Sequence, residues 1–140
     1  MTRTSRAILA DTSAWVEMFR RTGSAVDLAM TDLISQHSSL ALTEPVVMEL
    51  LAARRPVRQL ARLRRHLLSN AMLRVGGLET YERAAAIQRE CRAHGETVRS
   101  IVDCLVAAVA IREDVPILAA DRDFDLIARH TELRIHPVTA

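Results

Sequence analysis

Short apolar runs alternate along this chain with stretches in which apolar residues recur every three or four positions, as in buried parallel strands separated by helices. The runs 7–10, 39–42, 73–75 and 117–119 are predicted strands, and 133–136 closes the pattern. Helices are predicted near 13–21, 25–36, from 43–45 onward, along the stripe Val57, Leu60, Leu63 and Leu67, and over 78–93, 101–112 and 121–130. Pro45 fits only a first helical turn, Gly76 and Gly77 end the third strand, Gly95 is a helix stop and Ser100 an N-cap. No repeat, low-complexity tract or linker interrupts the alternation, so the reading is one α/β domain over residues 1–140 with a mainly parallel sheet.

The composition agrees: 49% hydrophobic, 26% charged and 3% aromatic residues in a chain of 140 describe a globular domain. A chain of this length buries roughly 70% of its unfolded surface and needs no staple. Cys91 and Cys104 stand alone, without metal-ligand spacing, so neither a disulfide framework nor a zinc site is expected and the cytoplasm is the default compartment. The apolar runs 7–10 and 104–111 are too short for a signal-peptide core or a membrane span.

All 19 basic residues are arginines. Without lysine, neither a P-loop nor a Schiff-base enzyme can be built. With only four glycines and no Gly-rich turn after the first strand, a dinucleotide fold is disfavoured, and Ser13 stands where a haloacid-dehalogenase-like site needs its second Asp. The net charge of +2 names no partner. The five histidines have no ligand spacing and are expected at surface or loop positions, while Trp15, Phe19 and the methionines Met18, Met30, Met48 and Met72 read as core.

Four acids sit in apolar surroundings. Asp11 and Asp121 follow predicted parallel strands, at whose carboxyl ends ligands bind. Glu49 and Asp103 interrupt helices that read as buried almost all round, with small neighbours (Ala52, Ala53, Ala107, Ala110) on their faces. Two such charges about 5 Å apart at an effective dielectric near 20 repel by roughly 3 kcal/mol, a sign that a shared divalent cation reverses. An all-carboxylate set favours Mg²⁺ or Mn²⁺ over Zn²⁺. Asp123 joins Asp121 as an auxiliary acid. Structural alternatives stand beside this: Asp11 and Asp121 as N-caps, Asp103 in a capping box with Ser100, and Glu49 in an ion pair with a distant arginine such as Arg99.

The segments Ile8-Leu9-Ala10-Asp11-Thr12-Ser13-Ala14-Trp15, Val46-Val47-Met48-Glu49-Leu50-Leu51, Val102-Asp103-Cys104-Leu105-Val106-Ala107-Ala108 and Ile117-Leu118-Ala119-Ala120-Asp121-Arg122-Asp123-Phe124 together resemble the PIN-domain family, and within it VapC-like toxins. That resemblance implies a three-layer α/β/α domain with a central, mainly parallel sheet. It also implies an acidic quartet of Asp11, Glu49, Asp103 and Asp121, with Asp123 additional, holding Mg²⁺. Thr12 and Ser13 match hydroxyls that orient water or metal, and Arg99 matches an arginine before the third acid. Ala119 and Ala120 depart from the family, where Thr, Ser or Asn commonly precedes the fourth acid.

The implied activity is metal-dependent endoribonuclease cleavage leaving 5′-phosphate and 3′-hydroxyl ends, in which Asp103 or Asp121 orients a water for in-line attack. The implied partners are an RNA substrate and a VapB-like antitoxin, in a homodimer or a toxin–antitoxin hetero-oligomer. Between positions 54 and 66 lie six arginines and no acid, so Arg58, Arg62 and Arg65 are candidate phosphate contacts, or else a face for solvent or for an acidic protein. A nonenzymatic RNA-binding or regulatory module with a degenerate PIN-like fold is the alternative reading.

Overall fold

A computed structural model describes residues 7–139. Among them, four strands and seven helices follow one another as β1 (Ile8–Ala10), α1 (Thr12–Phe19), α2 (Ala25–Ser35), β2 (Leu40–Leu42), α3 (Glu44–Leu51), α4 (Val57–Leu68), β3 (Ala71–Met72), α5 (Leu78–Ala93), α6 (Ile101–Glu113), β4 (Ile117–Leu118) and α7 (Asp123–His130). The sheet order is β3-β2-β1-β4 and every pairing is parallel, with Leu9 opposite both Ala41 and Ile117. Every residue of β1 and β2 is buried, as expected of parallel strands covered on both faces by crossover helices. The expected α/β architecture with a parallel sheet is the one observed.

This order places the site. The chain builds outward from β1 to β2 and β3, then returns to add β4 on the other side of β1, so the sheet reverses its direction of growth between β1 and β4. A crevice forms at the carboxyl ends of the strands flanking such a reversal. Asp11 follows β1 and Asp121 follows β4, and the Asp11 N–H donates to Leu118 O at 2.9 Å, which ties the two strand ends together.

Local signals account for most boundaries. Ser24 caps α2, accepting from the Asp27 N–H, and Pro45 lies in the first turn of α3. Gly95 has φ +80° and ends α5, with the Glu96 N–H returning to Cys91 O at 2.9 Å. Ser100 holds the N-cap position of α6 but makes no side-chain cap, so no capping box forms with Asp103.

Several expectations are corrected. Ala7 lies outside β1, and the third strand is Ala71–Met72 rather than 73–75. There the chain leaves the sheet directly after the Leu73 N–H reaches Leu42 O, and Val75 is held instead by its N–H to Glu44 and its carbonyl to Arg112. The run 133–136 contributes a single bridge, Ile135 to Ile117. The last helix starts at Asp123, not at 121.

Helix α6 is buried nearly all round, as read, but α3 is not: Met48 is 59% exposed, so it is no core filler, and Ala52 and Ala53 beyond it are exposed. In α4 the stripe ends in a buried Leu67, yet Val57 is 83% exposed. His130 is not a surface residue: it stacks on His94 at 4.2 Å between ring centres and bonds to Glu96. No helix among the described residues is long and apolar enough to cross a membrane.

Candidate active site

Asp11 occupies the N-cap of α1, its Oδ2 accepting from the Ser13 N–H at 3.0 Å. That is the structural role weighed for it, and it coexists with a second one, because the same carboxylate lines the crevice at the strand ends. A cavity of about 520 Å³ opens there, and its walls include Asp11, Thr12, Glu49, Asp103, Asp121 and Arg99. Ser13 lines it as well. All four acids of the quartet thus reach one pocket from α1, α3, α6 and the turn after β4.

Within it the acids are not equivalent. Oxygens of Asp103, Asp121 and Asp123 lie within 4.8 Å of one another, close enough to share a cation. Asp123, read as auxiliary, therefore stands in the tightest group, whereas Asp11 and Glu49 line the same cavity outside that trio. The trio is fixed by the main chain: Asp121 Oδ1 accepts the Asp123 N–H at 2.9 Å, and Asp123 Oδ2 accepts the Arg99 N–H at 3.0 Å.

Hydroxyls hold the other two acids. Thr12 Oγ1 donates to Glu49 Oε1 at 2.6 Å, so the partner of Glu49 is a threonine, and the alternative of an ion pair with Arg99 is not the one formed. Arg99 instead lies 3.8 Å from Asp123, with 78% of its side chain exposed. Ser13 Oγ donates to Asp11 Oδ2 at 2.7 Å and accepts the Ala120 N–H at 2.8 Å, bridging the ends of β1 and β4. At the 119–120 departure the contact to Ser13 is the Ala120 backbone N–H, and neither alanine brings a polar side chain beside the fourth acid.

The electrostatics are those of a site built for positive charge. Asp103 is 6% exposed, and its carboxyl is pushed up to about 8, first by burial and then by repulsion from Asp11, Asp121 and Asp123. Burial likewise raises the Asp11 carboxyl, against the hydrogen bonds from Ser13. Asp11 Oδ1 and Asp103 Oδ2 are buried without a hydrogen-bond partner. Unpartnered buried carboxylate oxygens are costly, and an all-oxygen donor set with two such atoms fits a hard divalent cation. Cys104, beside Asp103, offers no thiolate, since burial pushes its thiol up to about 12.

Arg58, Arg62 and Arg65 lie exposed on α4 and do not line this cavity. The cavity does take in Arg122, which the sequence reading passed over, although its position between Asp121 and Asp123 was a usable signal.

Residues 8–130 match the PIN domain family. The chain is 44% identical over 128 residues to VapC ribonuclease Mb1587 of Mycobacterium bovis, covering 91% of this chain and 96% of that relative. Ribonuclease VapC11 of Mycobacterium tuberculosis shows the same identity and coverage. Among solved structures, VapBC2 from Rickettsia felis bound to a promoter DNA fragment aligns with a TM-score of 0.70 at 15% identity, covering 93% of this chain and 97% of that one. FitAcB from Neisseria gonorrhoeae aligns at 0.67 and 18% identity, over 93% and 96%. At such identities the structural likeness speaks for the fold.

Proposed function

This chain belongs to the PIN domain family, and on that premise we propose that it is a divalent-metal-dependent endoribonuclease, the toxin of a type II toxin–antitoxin pair, acting in the cytoplasm as one catalytic domain over residues 1–140. The observation that carries the reading is the convergence of Asp11, Glu49, Asp103 and Asp121 in one cavity with two buried, unpartnered carboxylate oxygens. The ribonuclease relatives at 44% identity supply the substrate class. The VapBC names of solved neighbours support the partner, a VapB-like antitoxin, within a homodimer or a mixed assembly.

Asp11, Asp103 and Asp121, with Glu49, would hold Mg²⁺, and Mn²⁺ suits the same oxygens. When bound, the ion lowers the pKa of water and offsets the charge developing on the phosphate. The chain's own groups do the rest. Asp103 or Asp121 accepts a hydrogen bond from the attacking water and orients it for in-line displacement. Thr12 and Ser13 keep Glu49 and Asp11 in place through the bonds described above. Asp123, anchored by the Arg99 N–H, adds negative charge beside Asp121 and Asp103, and the exposed Arg99 guanidinium is available to a phosphate oxygen. On α4, Arg58, Arg62 and Arg65 provide longer-range attraction for the RNA backbone, for they have no ion-pair partner among the described residues.

End-group analysis tests this reading. Single-stranded RNA incubated with the protein and Mg²⁺ is expected to be cut to fragments with 5′-phosphate and 3′-hydroxyl ends, and a chelator is expected to stop the reaction. Cleavage that survives chelation, or fragments ending in 2′,3′-cyclic phosphate, would place the nucleophile on the RNA itself and refute it.

A further inference from the structure

A second cleft, of about 330 Å³, lies against the acidic cavity, and Arg99 and Arg122 line both. Its remaining wall is Thr97, the buried Asp123, Asp125, Leu126 and Arg129. We infer that this cleft is a nucleotide subsite: the residue of a single-stranded RNA flanking the cleaved bond lies in it, its phosphate on Arg122 and its base against the guanidinium planes of Arg122 and Arg129. This subsite presupposes the ribonuclease reading above and adds to it where the strand runs.

The shared arginines are the first argument, because a chain crossing the acids passes over them into the cleft without leaving the surface. The second is the pairing of the cations. Arg99 lies 3.8 Å from Asp123 with its guanidinium largely open and Arg129 is bonded to Glu96, whereas Arg122 is exposed and has no ion pair among the described residues. It also holds a fixed place, the N-cap position of α7 with helical backbone angles (φ −63°, ψ −20°), one residue from Asp121. Asp125 is the one acid of this cleft that is exposed, and it opposes an anion there. Asp123 is offset by Arg99 and Asp125 by Arg122, while Arg129, bonded to Glu96, keeps 58% of its side chain exposed as a face for a base.

The third argument is the scarcity of rings. Single-stranded RNA is held by stacking its bases on aromatic side chains or on arginine planes. Trp15 and Phe124 are buried, and the exposed Tyr81 lines a different groove with Met48. No aromatic side chain lines either the acidic cavity or this cleft, so guanidiniums are the stacking surface the site offers, with half-buried Leu126 as its apolar floor. The α4 arginines carry more charge but line neither cavity, so they do not select the neighbouring nucleotide.

The test uses the cleavage-deficient Asp103→Asn protein and single-stranded oligoribonucleotides extended one nucleotide at a time on either side of the cut. Extension on one side is expected to tighten binding about tenfold in the parent and less than about twofold once R122A and R129A are combined. R122A alone is expected to make the slope of log K against log salt shallower by about 0.7, because one phosphate of a single strand is no longer neutralised. Arg20→Ala, which removes an exposed charge outside both cavities, is expected to leave the length dependence intact. The subsite is overturned by an equal loss at every length, by no loss, by a parent that binds no strand, or by an acidic peptide that occupies the cleft while RNA does not. R122A is read on its own should the double variant unfold. A wild-type protein that cleaves none of these RNAs refutes the ribonuclease reading separately.

Discussion

Asp103→Asn is expected to lower metal-dependent RNA cleavage by at least about a thousandfold while leaving the fold intact, a loss of roughly 4 kcal/mol or more of transition-state stabilisation. The side chain is nearly isosteric, and the site loses a negative oxygen at the centre of the tightest acid group. Asp103 is the residue through which the acids interact most strongly, since Asp11, Asp121 and Asp123 all bear on its charge. An amide there halves the donor capacity for a hard cation and leaves the attacking water without one of its two candidate acceptors. Circular dichroism and thermal unfolding keep loss of function distinct from loss of structure. A variant that still cleaves, or one that unfolds with the metal-free protein, would assign Asp103 to the scaffold.

The second large effect is on stability against pH in the absence of metal. A carboxyl moved from 3.8 to about 8 on folding means that the native state binds a proton the unfolded chain has released across that window. Stability from this group is therefore greatest at acidic pH and falls as pH rises from about 4 to about 8, by an amount on the order of 5 kcal/mol. That corresponds to a fall in Tm of roughly 15–20 °C. Asp103→Asn removes the titrating group, so its curve should be flatter there, and at pH 8 the variant should exceed the metal-free wild type by about 2 kcal/mol. Adding Mg²⁺ should return stability to the wild type at high pH by mass action and do little for the variant. A wild-type Tm that climbs from pH 5 to pH 8 without metal would contradict the buried-acid picture.

Much of this site was legible before any coordinates. Asp11 and Asp121 stand directly after apolar runs too short to be anything but strands, and parallel strands present their carboxyl ends together. Helix α5 has the expected bounds and α6 the expected start, ending one residue later than expected, because Gly95 and Ser100 punctuate them. Met48 and Val57 fail for one reason, that hydrophobicity does not by itself mean burial. Both are apolar yet exposed, because α3 and α4 have solvent on one side and a protein surface retains much apolar area.

Pairings across the chain left no local trace. The Thr12–Glu49 bond spans 37 positions and the Ser13–Ala120 bond 107, and only the folded sheet brings those groups together. The prominence of Asp123 was hidden for a similar reason. It lies at the start of α7, and the turn formed by Asp121 accepting its N–H is what swings its carboxylate toward Asp103. The sequence puts Arg122 between Asp121 and Asp123, but only the fold shows that it lines two cavities.

The claim beneath all of this is that folding collects these carboxylates into a divalent-cation site. Titration calorimetry of Mg²⁺ or Mn²⁺ into the metal-free protein near pH 7, repeated in buffers of different ionisation enthalpy, tests it directly. The expected result is saturable uptake that releases a proton, because Asp103 must ionise to bind the ion, with both uptake and release lost in Asp103→Asn. No uptake by the wild type, or equal uptake by the variant, would contradict it.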